Sequence, residues 1–161
     1  MTSLCQPRML VVILLALAAC APTPNDIGVT PEQSTPITPQ PVCEPSQILH
    51  SKDSFPEVQG TMKSEGELWA LLFFDQAYAG QDKKIVWRMT GTGGPFEVQA
   101  RNEAGTIIRP IWGPEYHGSS SWTRPGDEWG TGFNFPEPGC WTLIATYGAT
   151  IGEIRLEVLA P

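Results

Sequence analysis

The chain of 161 residues is long enough for one ordinary domain with flanking segments. Its 17 acidic residues outnumber its 10 lysines and arginines, which gives a formal net charge of −7. An acidic surface without a basic cluster repels phosphates, so we expect no nucleic-acid partner. The 16 glycines and 16 prolines are about twice their usual share, and they favour turn-rich β-structure over a helical bundle.

The N-terminal segment has the pattern of an export signal. Arg8 is the only charged side chain in residues 1–8, and residues 9–19 form an unbroken apolar run of 11 residues. At about 1.5 Å per residue, this run is too short to cross a hydrocarbon core of about 30 Å as a permanent helix. The sequence therefore predicts a cleaved signal peptide over residues 1–19.

The apolar run ends in Leu17-Ala18-Ala19-Cys20, which resembles the lipobox of bacterial lipoproteins. In that family the cysteine thiol is diacylated, the preceding peptide bond is cut, and the free amine is often acylated. The resemblance implies that Cys20 is the mature first residue and carries the lipid. Two or more acyl chains hold a protein stably at a bilayer, at about 0.8 kcal/mol per buried CH₂. A secretory signal with an incidental cysteine is the alternative.

The lipobox resemblance also implies a location. The chain after Cys20 would lie on the extracytoplasmic face of the cell membrane or of an outer membrane. In bacteria with two membranes, an aspartate after the lipidated cysteine resembles a signal for retention in the inner membrane. Ala21 stands at that position here, which favours the outer membrane.

Residues 20–42 comprise the lipidated cysteine and a proline-rich linker. Six of the 22 residues that follow Cys20 are proline and none is aromatic. Such a segment cannot bury enough apolar surface to offset the entropy of ordering the chain. The sequence therefore predicts a disordered tether, extended by its prolines, ahead of a domain over residues 43–161.

The composition of the domain favours β-strands. Short segments with alternating or dense apolar residues are separated by turn residues. Seven of them are predicted as strands: residues 67–74, 84–90, 95–101, 106–112, 128–135, 140–146 and 152–159. Pro110 interrupts one of these segments, which predicts an edge position or a bulge. About seven strands with few helical periods predict an all-β fold, an antiparallel β-sandwich.

The C-terminal sequence "FNFPEPGCWTLIATYGATIGEIRLEVL" resembles the last two strands of immunoglobulin-like extracytoplasmic domains. In those domains a glycine precedes a strand whose early aromatic residue fills the core, and Gly139 and Trp141 match these positions. Residues 60–160 are also similar to uncharacterised bacterial lipoproteins with an F-P-x-P-G-C-W signature, matched here by residues 135–141. The resemblance implies an immunoglobulin-like sandwich in the cell envelope, and it carries no established activity.

Cys43 and Cys140 are the two cysteines left after Cys20. In an oxidising compartment they most simply pair with each other, and closing a loop of about 100 residues stabilises by up to about 4–5 kcal/mol on the chain-entropy model. A metal site with His50 and His117 is the alternative. Because the chain has no C-x-x-C motif and both histidines lie far from the cysteines in sequence, we predict a structural disulfide and no metal or cofactor.

One stretch, from Trp112 to Gly130, is predicted as a long loop, and such loops often bind. Its aromatic, histidine and arginine side chains are the candidate ligand or partner residues: Trp112, Tyr116, His117, Trp122, Arg124 and Trp129. Tryptophan, tyrosine and arginine anchor protein partners, and aromatic rings beside carboxylates equally suit stacking on a sugar. Alternatively, the tryptophans fold back and cover the end of the sandwich.

Two catalytic interpretations of this loop are weak. His117 stands near the serines at 119–121, but a nucleophile needs a base within hydrogen-bond reach and an orienting acid. Glu115 with Asp127 or Glu128 resembles a glycosidase pair, although acidic chains contain such pairs by chance. No G-x-S-x-G context is present, so we expect no enzymatic activity.

The leading expectation is a lipid-anchored extracytoplasmic protein with a non-catalytic β-sandwich that binds a partner or supports the envelope. Its partners would be the membrane, through Cys20, and an envelope protein or glycan. A carbohydrate-binding module that uses the Trp112–Gly130 loop is the alternative from a different class. A hydrolase built on the same loop is the second alternative.

Overall fold

The computed structural model describes residues 43–161, except residues 53, 92 and 119. The predicted signal peptide, Cys20 and the linker therefore lie outside the described residues. The described part consists of twelve β-strands: β1 Ile48–Leu49, β2 Glu57–Gln59, β3 Thr61–Met62, β4 Leu68–Leu72, β5 Ala77–Tyr78, β6 Asp82–Met89, β7 Phe96–Asn102, β8 Ile107–Ile108, β9 Trp112–His117, β10 Asp127–Asn134, β11 Gly139–Tyr147 and β12 Thr150–Leu159. Among the described residues, no helix is long and apolar enough to span a bilayer.

Two sheets pack face to face. Sheet A has the strand order β1-β2-β4-β6-β10-β9, and sheet B has the order β3-β12-β11-β7-β8, with the short β5 parallel to β12. All other pairings are antiparallel. Seven strands have five residues or more, and the other five have two or three. The predicted antiparallel β-sandwich is confirmed, and its two packed antiparallel sheets are those of an immunoglobulin-like fold.

The core follows from the alternation of side chains along each strand. Because successive side chains point to opposite faces, every second residue of a long strand enters the space between the sheets. Among the largest fully buried side chains are Trp87, Phe133, Trp141, Leu143 and Ile154. The indole N–H of Trp87 donates to Thr131 Oγ1 at 2.8 Å, so this polar group is satisfied inside the core.

The segment over residues 106–112 differs from its prediction as one strand. It forms β8 in sheet B and then the first residue of β9 in sheet A, and Pro110 lies between the two. Proline has no amide proton for a strand ladder, so pairing ends there and the chain crosses from one sheet to the other.

The prediction of a continuous loop from Trp112 to Gly130 is also wrong at both ends. Residues Trp112–His117 form β9, the edge strand of sheet A, and β10 begins at Asp127. Five of the six β9 residues are exposed, so the strand has no alternation of apolar and polar residues that a sequence pattern could detect. The true loop covers residues 118–126, and we call it the covering loop.

The predicted disulfide is confirmed. Cys43 and Cys140 are bonded, with Cα atoms 5.2 Å apart and a sequence separation of 97. The bond fastens the start of the domain to the start of β11, in the middle of sheet B. The neighbouring Ser46 then pairs with Arg155 of β12 through two hydrogen bonds of 2.9 Å. The first residues of the domain are therefore held against sheet B before the chain enters sheet A at β1.

Candidate binding site

The register of sheet A places its outward side chains in rows that cross the strands. Inward residues such as Ala70, Ile85 and Trp87 belong to the core, so their neighbours along each strand face outward. Paired residues of adjacent strands lie side by side on a face, about 4.5–5.5 Å apart at Cβ. Three such rows form the outer surface of sheet A between β2 and β9.

The first row is charged and buried. Trp69 of β4 pairs with Arg88 of β6, Arg88 with Glu128 of β10, and Glu128 with His117 of β9. Arg88 Nε donates to Glu128 Oε2 at 2.8 Å, and the two side chains are only 17% and 3% exposed. His117 Nδ1 lies 3.5 Å from the other carboxylate oxygen, Glu128 Oε1. A carboxylate buried on an outward face would be costly without such partners.

The covering loop lies over this row and is bonded to it. Ser120 Oγ donates to Glu128 Oε2 at 2.6 Å, and Arg88 Nη1 donates to the carbonyl oxygen of Arg124 at 2.6 Å. The same residue of the loop, Arg124, donates from Nε to Glu57 Oε2 at 2.7 Å, and its guanidinium lies 4.0 Å from the ring centre of Trp69. Two buried carboxylates, Glu57 and Glu128, therefore anchor the loop at both ends.

The second row forms the floor of a groove. Glu57, Leu71, Val86 and Gly130 are paired in turn across β2, β4, β6 and β10. Beside this floor opens a groove with a cavity volume of about 980 Å³. Trp122 of the covering loop lines the groove together with Glu57, Leu71 and Val86. Gly130 is covered by β9 side chains, because a Cβ there would lie 3.2 Å from His117 Nε2 and 3.5 Å from the Trp112 ring.

The third row contributes exposed aromatic rings and a lysine. The amide of Phe73 donates to the carbonyl oxygen of Lys84, and Lys84 pairs with Gly132. Phe55 stacks on Phe73 with ring centres 4.2 Å apart, and the two residues are 48% and 36% exposed. Lys84 Nζ lies 4.4 Å from the centre of the Phe73 ring. Phe55, Phe73 and Lys84 all line the groove.

Trp112 occupies the β9 end of the third row. Its indole lies across Gly130 and Gly132 of β10, where a Cβ on Gly132 would overlap the ring. Glycine at these two positions therefore makes room for a tryptophan that lies flat on the sheet. Trp112 keeps 37% of its surface exposed.

Trp122 carries an unmatched donor at the groove. Within the described residues, its Nε1 is the one buried side-chain nitrogen or oxygen atom that has no hydrogen-bond partner. Leaving such a group unsatisfied costs about 1–3 kcal/mol. Arg88 lies 6.0 Å from the centre of the Trp122 ring, so this indole extends the covering loop over the first row.

The six residues singled out from the sequence are divided between the two faces of sheet A. His117, Trp122 and Arg124 reach the outer face together with Trp112, and His117 and Trp122 line the groove. Trp129 points inward instead: it is 7% exposed and stacks on Phe96 at 4.3 Å. The structure therefore supports core packing for Trp129, which was one of the two interpretations left open.

Tyr116 lies on the inner side of the edge strand. It is 64% exposed and meets the ring of Trp129 edge-on at 6.1 Å. Tyr147 also packs edge-on against Trp129, and its hydroxyl donates to Asp127 Oδ2 at 2.7 Å. This hydrogen bond, followed by desolvation and the charge of Asp127, raises the pKa of Tyr147 above 10.0.

The contacts around His117 differ from those of a catalytic triad, in which the histidine lies between the serine and the carboxylate. Glu128 lies between Ser120 and His117 and contacts both, so the Ser120 hydroxyl donates to a carboxylate and not to the imidazole. That carboxylate is also paired with Arg88. Of the possible glycosidase pair, Asp127 accepts from Tyr147 at the opposite face. Among the described residues, no group of three potential ligands could hold a metal ion.

Five groove and network residues were not identified from the sequence: Phe55, Glu57, Phe73, Lys84 and Arg88. They come from β2, from β6 and from the residues next to β2 and β4, and only the strand register brings them next to the covering loop. The one signal for them was the alternation along residues 84–90, which placed Lys84 and Arg88 on the face opposite the core residues.

The fold and this surface define a disulfide-bonded β-sandwich domain with a groove on the outer face of one sheet. No protein-family model matches the chain, and no curated protein matches it in sequence.

The buried ion pair beneath the covering loop leads to a stability prediction. Glu128→Gln leaves the Arg88 guanidinium without its counter-charge, and we expect a loss of about 3 kcal/mol in the free energy of unfolding. Glu153→Gln is the matched control, because the Lys63–Glu153 pair is 54% and 19% exposed. An exposed pair of this kind contributes about 0–1 kcal/mol. Urea denaturation measures both variants, and equal losses would contradict the proposed role of Glu128.

Proposed function

We propose that this protein is an exported, lipid-anchored binding protein whose β-sandwich holds a ligand in the groove of sheet A without transforming it. The groove itself is the observation that supports a binding role. It is a cleft of about 980 Å³, near the upper end of the range for ligand sites, with aromatic walls and polar groups. Its walls come from Phe55 and Phe73 on one side and from the covering loop on the other.

The contacts within the groove favour binding over catalysis. The carboxylates of Glu57 and Glu128 are each occupied by an arginine, and the Ser120 hydroxyl is occupied by Glu128. These groups stabilise the position of the loop, and they leave no carboxylate of the network free to act as a general base. The same contacts disfavour the hydrolase alternative.

The anchor is supported by the sequence and by the disulfide. The apolar run that ends at Cys20 has the form of a lipoprotein signal. The Cys43–Cys140 bond is of a kind that forms and persists in oxidising compartments, which agrees with an extracytoplasmic location. The cell membrane or an outer membrane would then carry the protein, with the groove available to components of the envelope.

A carbohydrate site formed by the tryptophans of the Trp112–Gly130 stretch is less favoured. Such a site needs exposed rings that lie roughly in one plane. Trp129 is in the core, and Trp122 is half-buried over the sheet. Of the three tryptophans, only Trp112 is exposed, and its ring lies over Gly130 and Gly132 of β10.

The anchor leads to a labelling prediction. In cells given radioactive palmitate, the wild-type chain is expected to take up label and to sediment with membranes, because Cys20 is acylated. Cys20→Ser should abolish both, and Cys5→Ser is the control, because residue 5 lies in the segment that is removed. An unlabelled wild-type chain in the cytosol that keeps Met1 would contradict the lipoprotein assignment.

The groove leads to a binding prediction. The full-length chain in detergent is immobilised, and a solubilised envelope extract from the same cells is passed over it while bound mass is recorded. We expect binding that falls at least tenfold with Phe73→Ala, because this change removes an exposed groove wall. Ile107→Ala, which shortens a side chain that is 56% exposed on sheet B, should leave binding unchanged. Binding that is absent, or that the two variants reduce equally, would refute the groove as the site.

A further inference from the structure

The groove crosses the strands of sheet A rather than following an edge. Its floor residues Leu71 and Val86 are direct partners across β4 and β6, and the floor continues to Glu57 on β2. β4 and β6 are interior strands of the sheet, with a paired neighbour on each side. The backbone amides and carbonyls beneath the floor are therefore used by the strand ladders.

This direction restricts the chemistry of an occupant. A peptide that adds to a sheet does so at an edge, where unpaired backbone groups accept its own. On the face of β4 and β6, the backbone of a peptide would find no such partners, and unpaired peptide groups are costly to bury. The floor of the groove can therefore contact a ligand only through side chains.

The side chains of the groove suit a glycan. Phe55, which is 48% exposed and stacks on Phe73, offers an apolar face for the C–H surface of a pyranose ring. Hydroxyl groups that can both donate and accept line the same groove, at Ser51, Ser54, Ser121 and Thr123. Sugar hydroxyls also donate and accept, and each can therefore pair with a side chain of either kind.

One further donor at the groove lacks a matching acceptor. Lys84 forms no ion pair with any described residue, and its ammonium group is held against the Phe73 ring. A ligand rich in oxygen atoms supplies acceptors for such a donor.

We propose that the groove binds a glycan chain that lies across the strands of sheet A, with a sugar ring stacked on the Phe55–Phe73 pair and a sugar oxygen bonded to Lys84. This inference rests on the proposed binding function and names the chemical class of its ligand. It assigns the stacking role to phenylalanines of the β2 and β4 region, and not to the tryptophans of the Trp112–Gly130 stretch.

The test uses the immobilised full-length chain and divides the envelope extract into two portions before binding. One portion is oxidised with periodate, which cleaves the vicinal diols of sugars, and is then quenched. The other portion is digested with protease, which is then inactivated. We expect the periodate treatment to abolish binding and the protease treatment to leave it within twofold of the untreated extract.

A binding signal that survives periodate overturns the glycan inference. If that signal is lost to protease, a protein occupies the groove, and the proposed binding function remains. If untreated extract does not bind at all, both the inference and the proposed function fail.

Substitutions at two adjacent lysines test the proposed contact with Lys84. Lys84→Gln should weaken binding of the untreated extract at least fivefold. Lys83→Gln is the matched control, because the adjacent Lys83 points to the other side of β6 and lies over the rings of Phe74 and Tyr78. Equal effects of the two substitutions would refute a specific contact with Lys84.

Discussion

The candidate site depends on two carboxylates that are buried on the outer face of a sheet. Glu57 is 7% exposed and Glu128 is 2% exposed, although both lie on the side of sheet A that faces away from the core. Burying a charge in this way is unfavourable unless a partner compensates it, and each carboxylate has an arginine at 2.7–2.8 Å. Because Arg124 belongs to the covering loop, the need to pair these charges fixes the loop over the sheet.

The groove is a consequence of that fixed loop. The loop covers the charged row of Trp69, Arg88 and Glu128, and its residues also line the groove whose floor holds Leu71 and Val86, which are 7% and 5% exposed. The rows themselves follow from the register, which the core imposes: a slip by one residue would bring the charged side chains of β6 and β10 into the space between the sheets. Core packing, charge pairing and the shape of the groove are thus linked.

The sequence predicts more of the fold than of the candidate site. Alternation along residues 152–159 and 84–90 shows which side chains face the core, and the two domain cysteines leave one simple pairing, which the structure confirms. Strand β9 gave no such signal, because it is exposed along most of its length and contains a glycine and a proline. The groove joins Phe55, Phe73 and Lys84 to a loop that begins 63, 45 and 34 residues further along the chain, and only strand pairing creates that proximity.

The most direct test of this account is to observe the arginine side chains by NMR in the folded protein. In ¹H–¹⁵N spectra at neutral pH, the Nε–H groups of Arg88 and Arg124 should give sharp, slowly exchanging signals, because each donates to a carboxylate in a sheltered site. Glu128→Gln should remove the Arg88 signal and shift the backbone amides of Ser120, Trp122 and Arg124. If the Nε–H of Arg88 exchanges as fast as that of the exposed Arg155, the covering loop is not held by this network and the account is wrong.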